Sequence, residues 1–370
     1  MKNVLIFPTG DRQGVLSAIH HYNKIGFNVF APKFESFNLD WSRIAQWPLL
    51  ISKDPDTHQL NIDAQKQHEL LKFGEDFFLV KESHDVNAST YCKLIDEKDI
   101  MAIEINIFHT FRGGEGDLQH YFSLKQKFFP HARWVSSSVN VYDKDPGGHK
   151  PRNVAKILPA NYEKYAYPNQ FNFFCSDIEL RLFKISPSEK RKPVIASFNH
   201  NYHIRQPADY QLFCNMNKIL NLHSVDVKNY GGNIRGSGAD IRYHNNGPTG
   251  NYPTLSPPSC LRFISDISAI VHFKQNDCGG GVFFHALHTH TPIITTQHYV
   301  NASNSNEYLV HESNCLIVKN ESQAAEAVLS ILKDDSLQSR LSNGMKKLKE
   351  NLFNESYWSN WEKFVQHCMD

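Results

Sequence analysis

One stretch concentrates the residue types that can do chemistry: Val271-His272-Phe273-Lys274-Gln275-Asn276-Asp277-Cys278-Gly279-Gly280-Gly281-Val282-Phe283-Phe284-His285-Ala286-Leu287-His288-Thr289-His290. A buried strand ends in polar residues, three consecutive glycines follow, and a helix begins. Glycines at such a point let backbone N–H groups approach a ligand closely. The helix N-terminus adds partial positive charge, so Gly279, Gly280, Gly281 and Val282 are expected to hold a phosphate. A tight strand–helix turn without a ligand would use the same glycines. Asp277 is not expected to touch phosphate, because like charges repel.

A rival chemistry in the same stretch is metal binding, since His285, His288 and His290 are clustered and the first two lie on one helix face. No second Cys/His cluster completes such a site, and the helix start just before it repels cations, so no metal is expected. Asp143-Lys144-Asp145 has the spacing of a metal-binding DxD motif but lies in a Pro/Gly-rich segment and reads as a loop.

These residues must be positioned by strands and helices. The apolar run at residues 4–7 reads as a buried strand. Residues 14–24 have helical spacing, with Gly26 as a C-cap, and residues 27–31 form the next strand. This order is a βαβ unit, hence a parallel sheet. Further strands are expected at residues 77–80, 100–108, 133–137 and 172–175, with a helix at 118–129. Residues 185–193 are polar, basic and proline-bounded and read as a linker. A second α/β alternation follows. It has strands at 194–198, 225–230, 269–273, 293–295 and 315–318 and amphipathic helices at 321–333 and 336–351. A last helix, residues 357–367, carries Trp358 and Trp361. The expected organisation is a doubly wound α/β domain over residues 1–184, a linker over 185–193, and a second α/β domain over 194–352. Residues 353–370 then pack back on the first domain.

The spacing around Asp277 resembles the donor-binding signature of GT-B glycosyltransferases, the group 1 family above all. In that family an acidic residue opens a glycine-rich loop and a Glu lies eight positions later. Asp277 matches the first position, and Ala286, Leu287, Pro292, Ile293 and Ile294 match the tail of the pattern. His285 stands where the family has its second Glu, and His290 where it has Gly. The likeness runs on through Glu307-Tyr308-Leu309-Val310 to about residue 350. The resemblance implies two Rossmann-like doubly wound parallel-sheet domains facing across a cleft, residues 1–184 binding the acceptor and residues 194–352 the nucleotide sugar. It also implies a sugar-nucleotide donor, a UDP-sugar first and a GDP-sugar second, with no tightly bound cofactor. Asp277 would then accept hydrogen bonds from donor-sugar hydroxyls. His285 would stand at the ribose, where one hydrogen bond per ring nitrogen replaces a bidentate acceptor pair. A cation should neutralise the leaving diphosphate. Arg205 is the first candidate, with Asn199 and His203 beside it and Lys274 at a neighbouring strand end. Glu307 and Tyr230 complete the expected nucleotide side.

Acceptor residues are sought in the loops at strand ends. Gly10, Asp11 and Arg12 lie in the first, and Glu115 and Asp117 in a glycine-rich loop after residue 111. For an inverting reaction Asp11, Glu115, Asp117 or His109 is the candidate general base; a retaining reaction requires none.

Composition limits the alternatives. Lys+Arg is 39 against Asp+Glu 38, a net charge of +1, which argues against a surface built for nucleic acid. The 41% apolar and 12% aromatic content is enough to fill a sizeable core. Seven dispersed cysteines and an opening run too short for a signal peptide lead to the expectation of a reduced, cytoplasmic protein. Peripheral contact with the inner face of a membrane is compatible with that. The expected activity is transfer of a sugar from a nucleotide donor to a saccharide, glycolipid or other hydroxyl acceptor. Three alternatives share the architecture: a sugar-nucleotide 2-epimerase, a DNA-modifying glycosyltransferase, and a degenerate donor-binding subunit. The 20 histidines are too many for the metal reading to absorb.

Overall fold

The computed structural model describes residues 2–7, 12–32, 77–80, 92–95, 104–111, 125–126, 129–141, 152–158, 170–182, 185–199, 202, 206–230, 251–252, 257–274, 281–302 and 308–370. The first sheet contains β1 (Asn3–Phe7), β2 (Asn28–Pro32), β3 (Phe77–Val80), β4 (Cys92–Ile95), β5 (Ile107–Phe111), β6 (Arg133–Val141), β7 (Arg152–Leu158) and β8 (Gln170–Asn172). Their order is β4-β3-β2-β1-β5-β6-β7-β8. Helix α1 (Arg12–Lys24) joins β1 to β2. Gly26 at φ +82 ends it, with Phe27 N–H donating to Tyr22 O at 3.0 Å.

Only β2, β1, β5 and β6 run parallel; β3, β4, β7 and β8 pair antiparallel. The expected parallel sheet forms the centre, and antiparallel strands extend it at both edges. Length suits three of these pairings: residues 81–91, 142–151 and 159–169 are too few for the crossover that a parallel pair needs, whereas the β2–β3 connection, residues 33–76, is long and its antiparallel pairing has no such explanation. Of the expected helix at 118–129, residues 125–126 are helical and much of the remainder lies outside the described residues.

After α2 (Ile178–Leu182) comes the second sheet. It has β9 (Lys192–Ser197), β10 (Lys228–Tyr230), β11 (Asn251–Tyr252), β12 (Ile267–His272), β13 (Ile293–Thr296) and β14 (Cys315–Val318), in the order β11-β10-β9-β12-β13-β14 with every pairing parallel. Helices α3 (Pro207–Asn221), α4 (Pro257–Asp266), α5 (Gly281–Thr289), α6 (Gln297–Ala302), α7 (Glu321–Lys333) and α8 (Asp335–Leu352) cover it. All six residues of β12 are buried. Alternate side chains serve opposite faces: Ile270 packs with Phe283, Phe284 and Leu287, while Ala269 and Val271 pack with Phe213, Met216 and Ile294. Burial on both faces explains the continuous apolar runs by which these strands are recognised. Asn320 caps α7 by accepting from Gln323 N–H at 2.9 Å. Asn354 caps α9 (Glu355–Met369) by accepting from Tyr357 N–H at 3.0 Å.

The expected linker is more tightly held than its polarity suggests. Arg191 donates to the carbonyls of Ser265, Ile267, Thr289 and His290 at 2.8 to 3.1 Å and to Thr291 Oγ1 at 2.9 Å. Burial lowers its pKa to about 10. The polypeptide also reaches the second sheet earlier than residue 184. Cys175 belongs to the apolar cluster of that sheet.

Helix α9 goes the other way and packs on β6 and β8. Trp361, fully buried, donates from Nε1 to His21 O at 3.1 Å. Tyr357 Oη accepts from Phe174 N–H at 3.0 Å and donates to His21 Nε2 at 2.7 Å. His21 Nδ1 must then carry the ring proton, which it donates to Ser17 O at 2.6 Å. Burial holds this histidine well below its ordinary pKa, so it stays neutral. Phe174 stacks on Tyr357 with centroids 5.3 Å apart, so the two passages of the chain between the sheets lie side by side. No described helix is long and apolar enough to cross a membrane.

Candidate functional site

In the second sheet, β9 is the first strand of the chain; β10 lies on one side of it and β12 on the other. The order therefore reverses between β9 and β12, and ligands of open α/β sheets bind at the carboxyl ends of such a pair. Strand β12 ends at His272, Phe273 and Lys274 follow, and α5 starts at Gly281. Lys274 and Gly281, which flank the expected phosphate loop, thus lie at the switch point, and half-buried Val282 follows Gly281 in the helix. Asp277, Gly279 and Gly280 lie outside the described residues, as do Gly10, Asp11, Glu115, Asp117, His203, Arg205, Glu307 and the Asp143-Lys144-Asp145 segment.

The rim around this point is built by neighbouring strand ends. Asn199, just past β9, is 3% exposed. Its N–H donates to Asn229 Oδ1 at 2.9 Å, and Asn229 Nδ2 returns a bond to its carbonyl at 3.1 Å. Asn199 Nδ2 donates to Ser197 Oγ at 2.9 Å, which leaves Oδ1 buried without a hydrogen-bond partner. Tyr202 Oη donates to Phe273 O at 2.7 Å and so fixes the exit of β12. Thr295 Oγ1 donates to His272 O at 2.7 Å, holding β13 against the same exit. Tyr230, half-buried at the end of β10, stacks on Phe198 at 5.9 Å and meets Phe263 edge-on at 5.1 Å. Lys274 is half-buried where β12 ends.

His285 is placed on α5 one turn beyond Gly281, with its side chain 12% exposed. Its Nε2 lies 3.1 Å from Glu179 Oε2, and its Nδ1 is buried with no hydrogen-bond partner. His288, one turn further, donates from Nε2 to Cys175 O at 2.7 Å. Burial lowers His288 to about 4, against the opposing pull of Asp177. Lys349 on α8 donates to Asp177 Oδ2 at 2.9 Å. Burial acts to raise the Asp177 carboxyl, but His288, Lys349 and Arg181 together hold it well below the usual carboxylate range. The i,i+3 histidine pair therefore grips the segment around α2. Among the described residues no three His, Cys, Asp or Glu side chains gather as metal ligands.

Sequence reasoning missed Glu179, Asp177 and Lys349. The only local signal is the acidic Ser176-Asp177-Ile178-Glu179 start of a short helix; the pairing of Glu179 with His285 spans 106 positions. The expectation of a general base at His109 is corrected by its placement. It lies in the middle of the first sheet, fully buried, with Nδ1 at 2.9 Å from Tyr22 Oη and Nε2 at 2.8 Å from Ser137 Oγ. Burial lowers its pKa to about 3, which makes it a poor proton acceptor.

His290, where the resembling family has glycine, has φ +57 and follows the last turn of α5. Thr291 N–H donates to Ala286 O at 2.8 Å, closing that helix end. The left-handed geometry accounts for the glycine preference at this position.

No protein-family model matches the chain, and no curated protein matches it by sequence. Solved structures do match its fold. A mutant of S. aureus TarM, crystallised with fondaparinux, alpha-GlcNAc-glycerol and UDP, superposes with a TM-score of 0.58 at 9% identity, covering 100% of both chains. The pneumococcal O-GlcNAc transferase GtfA, in complex with UDP and GlcNAc, gives a TM-score of 0.55 at 8% identity, covering 100% of this chain and 99% of that one. The likeness spans both sheets, and the fold is that of GT-B glycosyltransferases.

Proposed function

We propose that this GT-B chain transfers a sugar from a nucleotide-sugar donor to a hydroxyl acceptor, with a UDP-sugar as the first donor to test and a GDP-sugar as the second. One observation carries the reading: helix α5, whose first residue Gly281 is the last of three consecutive glycines in the sequence, starts beside the switch point of a six-stranded parallel sheet. The fold around it is shared over full length with two proteins crystallised with UDP. The backbone N–H groups of Gly279–Gly281 and the start of α5 suit the diphosphate. Asp277 suits donor-sugar hydroxyls, Arg205 and Lys274 the charge of the leaving group, and Asn199 and Tyr230 the nucleoside. Asp11 and Glu115 remain the acceptor-side residues. Saccharides, glycolipids and other hydroxyl compounds are the acceptors to try.

The test is a thermal-shift screen against UDP-, GDP-, ADP- and CMP-sugars. A ligand bound only by the folded state raises its stability by about 2.7 kcal/mol at 100 times its Kd. One donor class should shift the melt; no shift with any of them would sink the reading. In the enzyme so matched with its donor, Asp277→Asn should lower turnover roughly 100-fold with an unchanged melting temperature. Unaltered turnover would remove Asp277 from the site.

A further inference from the structure

Glu179 and His285 reach each other from different parts of the chain, and neither is at the surface. The Glu179 side chain is 1% exposed and accepts from His285 Nε2 at 3.1 Å. Its segment is pinned on both sides of the same helical layer: Cys175 O to His288 of α5 at 2.7 Å, and Asp177 to Lys349 of α8 at 2.9 Å. The carboxylate is thus held before any ligand arrives, and it is held against the helix that the glycine loop enters.

A carboxylate accepts but does not donate, so the ring proton of a neutral His285 resides on Nε2. Nδ1 is then a bare lone pair. It is buried and has no hydrogen-bond partner. Proteins seldom leave a buried polar atom in this state, and each such atom calls for an explanation, a functional role among them. A clamp between α2 and α5 accounts for Nε2 alone; it leaves Nδ1 unexplained.

We infer that Glu179 is a positioning residue of the donor site: by fixing the His285 proton on Nε2, it makes Nδ1 a permanent acceptor for a hydroxyl of the bound nucleotide. This rests on the donor-site reading above. It differs from a carboxylate acting directly, because the acceptor is one ring nitrogen whose state is set by a second residue.

Two measurements on the full chain test it. Long-range proton–nitrogen spectra of the imidazoles report the tautomer of His285 without any substitution. The Nε2–H form is expected, with the Nδ1 resonance moving when UDP is added. In Glu179→Gln an amide can donate as well as accept, so a tautomer mixture is expected. Calorimetric titration with UDP should show binding weakened about ten-fold in Glu179→Gln and in His285→Ala. The double variant should bind no more weakly than His285→Ala. Donor KM should rise by a similar factor with kcat little changed. An Nδ1–H tautomer in the unaltered protein, equal UDP affinity in Glu179→Gln, or additive losses in the double variant would each overturn the positioning role while leaving the donor site standing. An unaltered protein that binds no UDP and no other nucleotide diphosphate would overturn the donor reading and this inference together.

Discussion

His285 and His288 sit one turn apart on α5, and each commits a ring nitrogen to the same short segment. His288 is 1% exposed and is lowered to about 4, first by burial. Its unfolded value is about 6.5, so the unfolded chain binds more protons between these limits. The stability it contributes is complete above pH 6.5 and declines as the pH falls toward 4, by on the order of 3 kcal/mol. Melting temperature should therefore drop over that window, and His288→Gln should show a shallower drop. A flat wild-type profile from pH 6.5 to 4 would defeat this account. His290 makes a second prediction of this kind. A non-glycine residue at φ +57 is strained, and His290→Gly should raise stability by roughly 1 kcal/mol. Denaturant titration measures it; a destabilised variant would mean that the histidine ring contributes more than the backbone strain takes away. Both residues belong to the chemistry-rich stretch, and both turn out to be explained by packing and backbone geometry. That outcome was not legible from residue type, because the partners lie far away in sequence.

Elements buried on both faces were the legible ones. The run 315–318 and the helix 321–333 coincide with β14 and α7, because a strand covered on both faces or a core-facing helix writes its environment directly into its apolar pattern. Strands β4 and β7 escaped notice. Cys92-Lys93-Leu94-Ile95 and Arg152-Asn153-Val154-Ala155-Lys156-Ile157-Leu158 mix charge with apolar residues, as antiparallel strands toward a sheet edge do. The glycine stretch is read from spacing alone, whereas the pairing of Glu179 with His285 required the fold. Helix α8 carries a different kind of hidden constraint at Gly344. A Cβ there would collide with the Ser313 carbonyl. Helix propensity alone favours Ala over Gly by about 1 kcal/mol. The backbone contact predicts the opposite sign: Gly344→Ala should destabilise by roughly 1–3 kcal/mol. A chemical-denaturation midpoint that moves upward would show that the loop around Ser313 yields freely.

At the scale of the molecule, the two sheets exchange pieces. The segment around α2 is bonded to the second sheet's helices, and α9 completes the core of the first. Trp361 is the largest fully buried side chain in that exchange, stacked on Phe364 at 5.6 Å and set against Phe171 at 5.2 Å. Trp361→Ala should cost about 3–5 kcal/mol. The loss should appear in protection of β6 and β8 amides from hydrogen exchange as well as in the overall melt. Protection lost only from α9 would mean that the helix is an ornament of the first sheet.

The reciprocal placement of α9 has a consequence for how the protein is made. Domains generally fold in the order in which the ribosome delivers them. Here the first sheet emerges early, yet its helical cover leaves the ribosome after every other described element. Until then the faces of Tyr22, Phe171 and Phe173 that Trp361 covers stay wet. The half of the molecule synthesised first is the half finished last, and a nascent chain stalled before residue 355 presents a sticky aromatic surface to whatever chaperone meets it.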